Sequence, residues 1–324
     1  MNQYLKYNSS LQKCLSLLIC NYSLLINCSA QDPQFTQSFG AMTYNNPAFA
    51  GSNTMGTVFL THRNQWPKLS GTYQTTVFGW QQYIGKMNSY AGFHYMYDKA
   101  GAFTTQRMTF NYSQNIKIKK LLLRPSMEFC YFNKVVDWNQ LSFGDQIDPR
   151  SGFRYSTNDI PRGGKITNVD FNAGLLANFY NTRMAISIHH ITQPNESLLT
   201  GNSPLPMKLG FHLGHILKFR IKESELKIQP YFTAISQGNF KNLNYGLNTE
   251  FKNILLGFNL RASDSYAFLI GYSKFNARIS YCYEITDSTL ENQNTGGTHE
   301  FTSAFKFWKK DAHKKHMEHS SMFY

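Results

Sequence analysis

The chain has 324 residues, 15% aromatic and 16% charged, with a formal net charge of +13 at pH 7. So few charges beside so many aromatics is unusual for a water-soluble domain and natural for a membrane barrel with aromatic girdles. A mean hydropathy of −0.40 reads as soluble, yet a barrel turns half of every strand away from lipid and so escapes an average of this kind.

At the start of the chain, Lys6 and Lys13 precede an apolar stretch over 14–26, and Cys28, Ser29 and Ala30 place small residues where signal peptidase reads. Residues 1–30 are therefore expected to be a signal peptide cleaved after Ala30. Asn27 stands where a lipoprotein site wants a small residue, which disfavours lipidation of Cys28. Cleavage removes three of the five cysteines, leaving Cys130 and Cys282, and takes the charge from +13 to +11 with the loss of Lys6 and Lys13. Two cysteines within strands do not define a disulfide scaffold or a metal site. The segment 31–55 is polar and aromatic, carries Pro33 and Pro47, and is too irregular for a strand. It is expected to fold into a lumen or across its periplasmic mouth.

From Gly56 onward the pattern has period two. Over 168–180, Val169, Phe171, Ala173, Leu175, Ala177 and Phe179 share one face, opposite Asp170, Asn172, Gly174 and Asn178. Tyr266, Phe268, Ile270 and Tyr272 repeat the arrangement against Ala267, Gly271 and Ser273, as do Phe301, Ser303, Phe305 and Phe307 against Thr302, Ala304 and Lys306. Strands are predicted over 56–66, 73–84, 89–99, 104–118, 121–138, 168–181, 183–193 and 207–220. Six more are predicted over 224–237, 240–252, 254–262, 265–275, 277–286 and 298–308. A sheet crosses a bilayer only when closed, because hydrocarbon offers no partner to an open edge. The fold class is thus all-β, an antiparallel transmembrane β-barrel of about fourteen strands spanning 56–308. The inward faces read as Gly, Ala, Ser and Asn, which suits a narrow or filled lumen.

The connections after even-numbered strands are short, as at 85–88, 181–182 and 275–277. Long ones, over 139–167, 192–206 and 285–297, follow odd-numbered strands. Bacterial barrels have short periplasmic turns and long outer loops, so both termini are expected in the periplasm. The tail over 309–324 is rich in Lys and His. His313, His316 and His319 lack a carboxylate or cysteine to complete a metal set, and the segment reads as a solvated basic tail.

The sequence carries no catalytic constellation. There is no nucleophile elbow around Ser187, Ser197 or Ser203 and no phosphate-cradling glycine loop. His189 and His190 are neighbours, and His212 and His215 are three apart. In a strand each pair points to opposite faces, so neither converges on one ligand. Asp145 and Asp148 read as loop carboxylates. No cofactor or metal is expected, and nucleic acid is no partner for an exported barrel.

Several short clusters punctuate the strands. They are Asp32-Pro33-Gln34-Phe35, Asn46-Pro47-Ala48-Phe49-Ala50-Gly51, Arg63-Asn64-Gln65-Trp66-Pro67, Asp98-Lys99-Ala100-Gly101 and Leu141-Ser142-Phe143-Gly144-Asp145-Gln146-Ile147-Asp148. His189-His190-Ile191-Thr192-Gln193-Pro194-Asn195-Glu196 and Gly297-Thr298-His299-Glu300 complete the set. In this order, from just after the leader to the last strand, they closely resemble the PorP/SprF family of outer-membrane proteins of the type IX secretion system in Bacteroidetes. The resemblance implies a non-enzymatic barrel in the outer-membrane lipid that supports export and surface attachment of a secreted adhesin-like client. It also implies anchoring of a periplasmic ring lipoprotein and an OmpA-like peptidoglycan-binding protein. The residues expected to carry partner contacts or the family pattern are Asn46, Pro47, Phe49, Gly51, Arg63, Asn64, Trp66, Pro67, Asp98 and Gly101, with Phe143, Gly144, Asp145, His190, Gln193, Pro194, Asn195, Glu196, His299 and Glu300. The alternative reading is a transporter or channel for a small apolar solute, with an outer-membrane hydrolase more distant.

Overall fold

The computed structural model describes residues 31–37, 40–50, 56–71, 73–148, 150–153, 155–157, 163–199, 201–262, 264–287 and 295–307. The expected signal peptide, its cleavage site, the tail over 309–324 and Gly51 lie outside the described residues. Among the described residues, eighteen strands follow one another: β1 (Gly56–Gln65), β2 (Tyr73–Ile84), β3 (Ser89–Ala100), β4 (Phe103–Gln114), β5 (Ile116–Ile118), β6 (Leu121–Val136), β7 (Ile147–Asp148), β8 (Gly152–Phe153) and β9 (Lys165–Phe179). Then come β10 (Thr182–His189), β11 (Lys208–His215), β12 (Leu217–Ile221), β13 (Ser224–Gln237), β14 (Phe240–Phe251), β15 (Ile254–Arg261), β16 (Ser265–Lys274), β17 (Ala277–Thr286) and β18 (Thr298–Phe307).

All but β7 and β8 belong to one antiparallel sheet, and the pairing of Gly56 with Phe307 through Gln65 with Thr298 closes it. Both β4 and β5 pair with β6, and both β11 and β12 pair with β13. Each couple is therefore one interrupted stave, and the barrel has fourteen. The interruptions are single residues whose N–H groups still find partners. Asn115 donates to the Asn88 carbonyl at 3.0 Å, and Ile216 to that of Asn181 at 3.0 Å.

The period-two pattern is inverted relative to a soluble protein. In β9, Val169, Phe171 and Phe179 are exposed, whereas Asp170, Asn172 and Asn178 are buried. Tyr266, Phe268, Ile270 and Tyr272 are likewise exposed opposite buried Ala267 and Leu269. Only an apolar solvent stabilises that arrangement, so the outward face is the lipid face.

The two rims differ. At the rim where β1 begins and β18 ends, the connections are four residues at 85–88 and two at 119–120, 180–181, 222–223, 252–253 and 275–276. The two-residue turns open on Lys119, Tyr180, Lys222, Lys252 and Phe275, all with φ between 51° and 56°. This left-handed start suits the primed turns that match strand twist. The opposite rim has tight turns at Gly101 and Gly238, where φ is 59° and 56°. It also carries the long connections over 137–164, 190–207 and 287–297, the first holding the β7–β8 hairpin.

Candidate functional site

The barrel is filled by its own N-terminal segment. Residues 32–37 and 40–50 lack the period of a strand, and they form a helical turn over Met42–Asn45 and a 3₁₀ turn over Pro47–Phe49. Their apolar side chains pack against the inner wall. Phe35, Ala41 and Tyr44 meet Phe59, Val77, Met96 and Ala304, while Met42, Ala48 and Phe49 join the cluster holding Leu176 and Ala185. Gly174 marks the closest approach, since a Cβ there would overlap Asn46 Oδ1 and crowd the Ala48 nitrogen.

Three groups of polar contacts hold the segment along the lumen axis. Near the long-loop rim, the Asp32 carboxylate receives Arg107 Nη2 at 2.9 Å, Lys208 Nζ at 3.0 Å and His190 Nε2 at 2.7 Å. His190 Nδ1 lies 2.7 Å from Asp170 Oδ2. With a carboxylate on each ring nitrogen, only the imidazolium donates to both. Burial opposes its charge, but Asp32 and Asp170 prevail and raise the His190 pKa. Burial likewise opposes the charge of Asp32, and Arg107, Lys208 and His190 hold its carboxyl well below the usual range. Glu196 continues the cluster through Lys134 at 2.8 Å and Arg107 at 3.7 Å.

Also toward that rim, where β18 begins, Glu300 accepts the backbone N–H groups of Thr36 and Gln37, each at 2.8 Å. The Thr36 hydroxyl donates to Glu284, which also receives Arg261 at 3.0 Å and Arg63 at 3.5 Å. On the other wall, Asn46 Nδ2 donates to the Ile186 carbonyl at 2.9 Å, and Ser187 and His189 donate to that of Asn45. At the short-turn end, Arg124 Nη1 donates to the Ala50 carbonyl at 3.0 Å.

The inward faces differ from the expected run of small residues. Arg63, Arg107, Glu128, Asp170, Lys208, Glu284 and Glu300 all point into the lumen and are paired there. A second correction concerns His189 and His190, which do not point apart. The β10 strand ends at His189, and the left-handed φ of 60° at His190 breaks the alternation, so both rings are buried. His212 is buried and His215 exposed, on opposite faces as expected. The third correction is topological: Asp32 lies by the long loops, whereas Phe307 lies at the short-turn rim. The segment threads the lumen between them, so these two ends of the described chain do not share a rim.

The space left is small. Within the lumen a cavity of about 50 Å³ lies among Gln34, Asn45, Asn46, His212, Asn242 and Asn244, and one of about 20 Å³ lies beside Asp32, whereas a larger one of about 240 Å³ lies outside it, on the lipid face among Leu60, Phe78, Ile279 and Phe305. Among the described residues, no three His, Cys, Asp or Glu side chains come together to hold a metal.

The model of the family described as type IX secretion system membrane protein PorP/SprF matches residues 27–305. The chain belongs to this family. Three solved structures are similar to this PorP/SprF membrane barrel. The Acinetobacter baumannii outer membrane protein Omp33 shares 8% identity at a TM-score of 0.46, covering 79% of this chain and all of its own. A Pseudomonas aeruginosa FadL homologue shares 10% identity at 0.47, covering 87% and 100%. The Ralstonia pickettii toluene transporter TbuX shares 12% at 0.46, covering 83% and 94%. No curated protein matches the chain significantly.

In this PorP/SprF barrel the motif residues separate into two sets. Asn46, Pro47, Phe49, Arg63, His190, Glu196 and Glu300 are buried in or against the threaded segment. Phe49 packs edge-on against His212 with ring centroids 5.3 Å apart. Asp98 faces the same lumen and accepts from Thr75 Oγ1 at 2.6 Å. The second set builds the long-loop rim. Trp66, at φ 56°, donates its backbone N–H to Gly297 at 2.9 Å, with Pro67 alongside Gly296, and Gly101 makes its tight turn. Asn64 pairs across the sheet with His299, whose Nδ1 lies 2.7 Å from the Tyr281 hydroxyl. Phe143 and Gly144 open the 3₁₀ turn before the β7–β8 hairpin, and Asp145 accepts from Thr157 at 2.9 Å. Backbone hydrogen bonds to Arg150, with Tyr155 and Ser151, lower the pKa of Asp148 in that hairpin. Gln193 carries a left-handed φ of 44°, the Pro194 carbonyl accepts Leu205 N–H, and Asn195 Oδ1 accepts the Ser197 and Ser203 N–H groups. Arg107, Asp170, Lys208 and Glu284 escaped sequence reasoning. Their signal was a charge at an inward position of an otherwise alternating strand.

Proposed function

We propose that this chain is a non-enzymatic platform of the type IX secretion system in the outer membrane. The long loops, especially 139–167 and 192–206, hold a secreted adhesin-like client at the cell surface. The short-turn rim faces the periplasm, where the ring lipoprotein and the OmpA-like peptidoglycan-binding protein are the partners implied by the family. The observation that carries this reading is the filled lumen. With residues 32–50 tied to the wall by Asp32, Thr36, Gln37, Asn46 and Ala50, the working surfaces are the two rims. A small apolar solute finds little support as cargo through the lumen, because the lumenal cavity of roughly 50 Å³ is far below the roughly 300–1,000 Å³ of ordinary ligand sites, and the larger one of about 240 Å³ opens on the lipid face. Deleting 139–167 and 192–206 separately, then measuring client retained on washed cells, tests the reading. Release of the client with normal barrel abundance supports it, and full retention by both deletions refutes it.

A further inference from the structure

The short-turn mouth of the barrel is cationic, and the direction of its charges says what it meets. In β12 and the start of β13, Lys218 lies opposite Lys227 and Arg220 opposite Glu225. Gln229 and Tyr231, farther along β13 on the same face as Lys227, are buried in the lumen. By the two-residue period, Lys218, Arg220 and Lys227 therefore face the barrel axis, while Leu217, Phe219 and Ile221 face lipid. Arg124, Arg278 and Lys306 line the same inward face on β6, β17 and β18. Among the described residues of these strand ends, the acids facing the same way are Glu225 and Glu250. Glu250 already receives Arg278 at 3.0 Å and lies 3.7 Å from Lys227. Lys218 and Arg220 are exposed, so a positive field is presented to whatever approaches along the axis.

We propose that this mouth is a docking surface for an acidic polypeptide segment of a partner on the short-turn side. Lipid head groups lie outside the wall, where the same hairpin presents Leu217, Phe219 and Ile221, whereas the cations lie inside it. The chain's own tail is an unsuitable occupant by charge, since it carries Lys309, Lys310, Lys314 and Lys315 against Asp311 and Glu318. This inference rests on the proposed orientation only for naming the compartment as periplasmic; the chemistry of the mouth stands apart from it.

The test uses the full-length protein in neutral-lipid nanodiscs and a fluorescent deca-glutamate peptide, followed by anisotropy. The expected result is binding that weakens at least tenfold between about 50 mM and 500 mM salt, as screening requires, and at least tenfold in the Lys218→Glu/Arg220→Glu variant. A control variant at the opposite rim, Lys68→Glu/Arg150→Glu, retains the parent affinity. Equal affinity in the parent and the Lys218/Arg220 variant overturns the proposal, as does an equal loss in the control. Short-chain phosphatidylglycerol titrated in place of the peptide should bind the parent and this variant alike; a loss confined to the lipid assigns the mouth to head groups and overturns it too. Rim accessibility on intact cells tests the orientation separately, so failure of one reading does not imitate failure of the other.

Discussion

Replacing Asp32 by Asn is the sharpest perturbation of the filled lumen. The carboxylate is nearly buried, at 7% exposure, and receives Arg107, Lys208 and His190 within 3.0 Å. Asn preserves the shape and one acceptor oxygen but leaves these cations without their shared counter-charge. Breaking a buried pair by removing one partner costs about 3–5 kcal/mol. Taking about 3 kcal/mol for a cluster that keeps Asp170 and Glu196, the equilibrium for release of the segment's outer end shifts by about 100-fold, at about 1.4 kcal/mol per tenfold. Hydrogen exchange of the Thr36 and Gln37 amides reads this directly, because both are tied to Glu300 just inside the latch. The Asp32→Asn variant should exchange there about 100-fold faster, with strand amides on the far wall unchanged. Exchange within threefold of the parent would refute the claim that Asp32 latches the segment.

Glu300→Ala should cost about 2–6 kcal/mol, since two backbone N–H groups lose their acceptor in a buried site at about 1–3 kcal/mol each. A lowered unfolding midpoint in detergent checks this. Gly174→Val should destabilise by about 1–3 kcal/mol through overpacking, because its side chain invades the space of Asn46; susceptibility of residues 32–50 to added protease reports it. The His190 pKa is raised in the folded state by Asp32 and Asp170 against the effect of burial. Its stabilising contribution is therefore complete below about pH 6.5, the unfolded value, and is lost as pH rises through the higher folded value. Exchange at Thr36, once divided by the intrinsic amide rate at each pH, should show protection falling over that upper window, and His190→Gln should abolish that fall.

The strands were legible because lipid enforces one rule at every second residue. Phe268, Ile270 and Tyr272 announce a lipid-facing wall from sequence alone, and the loop lengths announce two unlike rims. The lumen was not legible, for a physical reason. Asp32, Arg107, His190 and Lys208 are far apart in sequence and meet only after the sheet closes, so an inward charge on one strand carries no sign of its partner. The threaded segment has no period to read, and its path follows from wall contacts such as Glu300 with Thr36 and Gln37. His190 shows how local geometry defeats pattern. One left-handed residue turned a neighbouring pair from opposite faces to the same one. Motif residues that read as candidates for partner contact thus include several, such as Asn46, Arg63 and Glu300, whose observed contacts are internal.

Conductance across a planar lipid bilayer tests the central claim most directly, that this family member is a filled platform and not a pore. The intact protein should insert without a steady open level, whereas a variant lacking residues 32–50 should show one if the barrel remains folded. A stable open channel in the intact protein, equal to that of the deletion variant, would contradict the account.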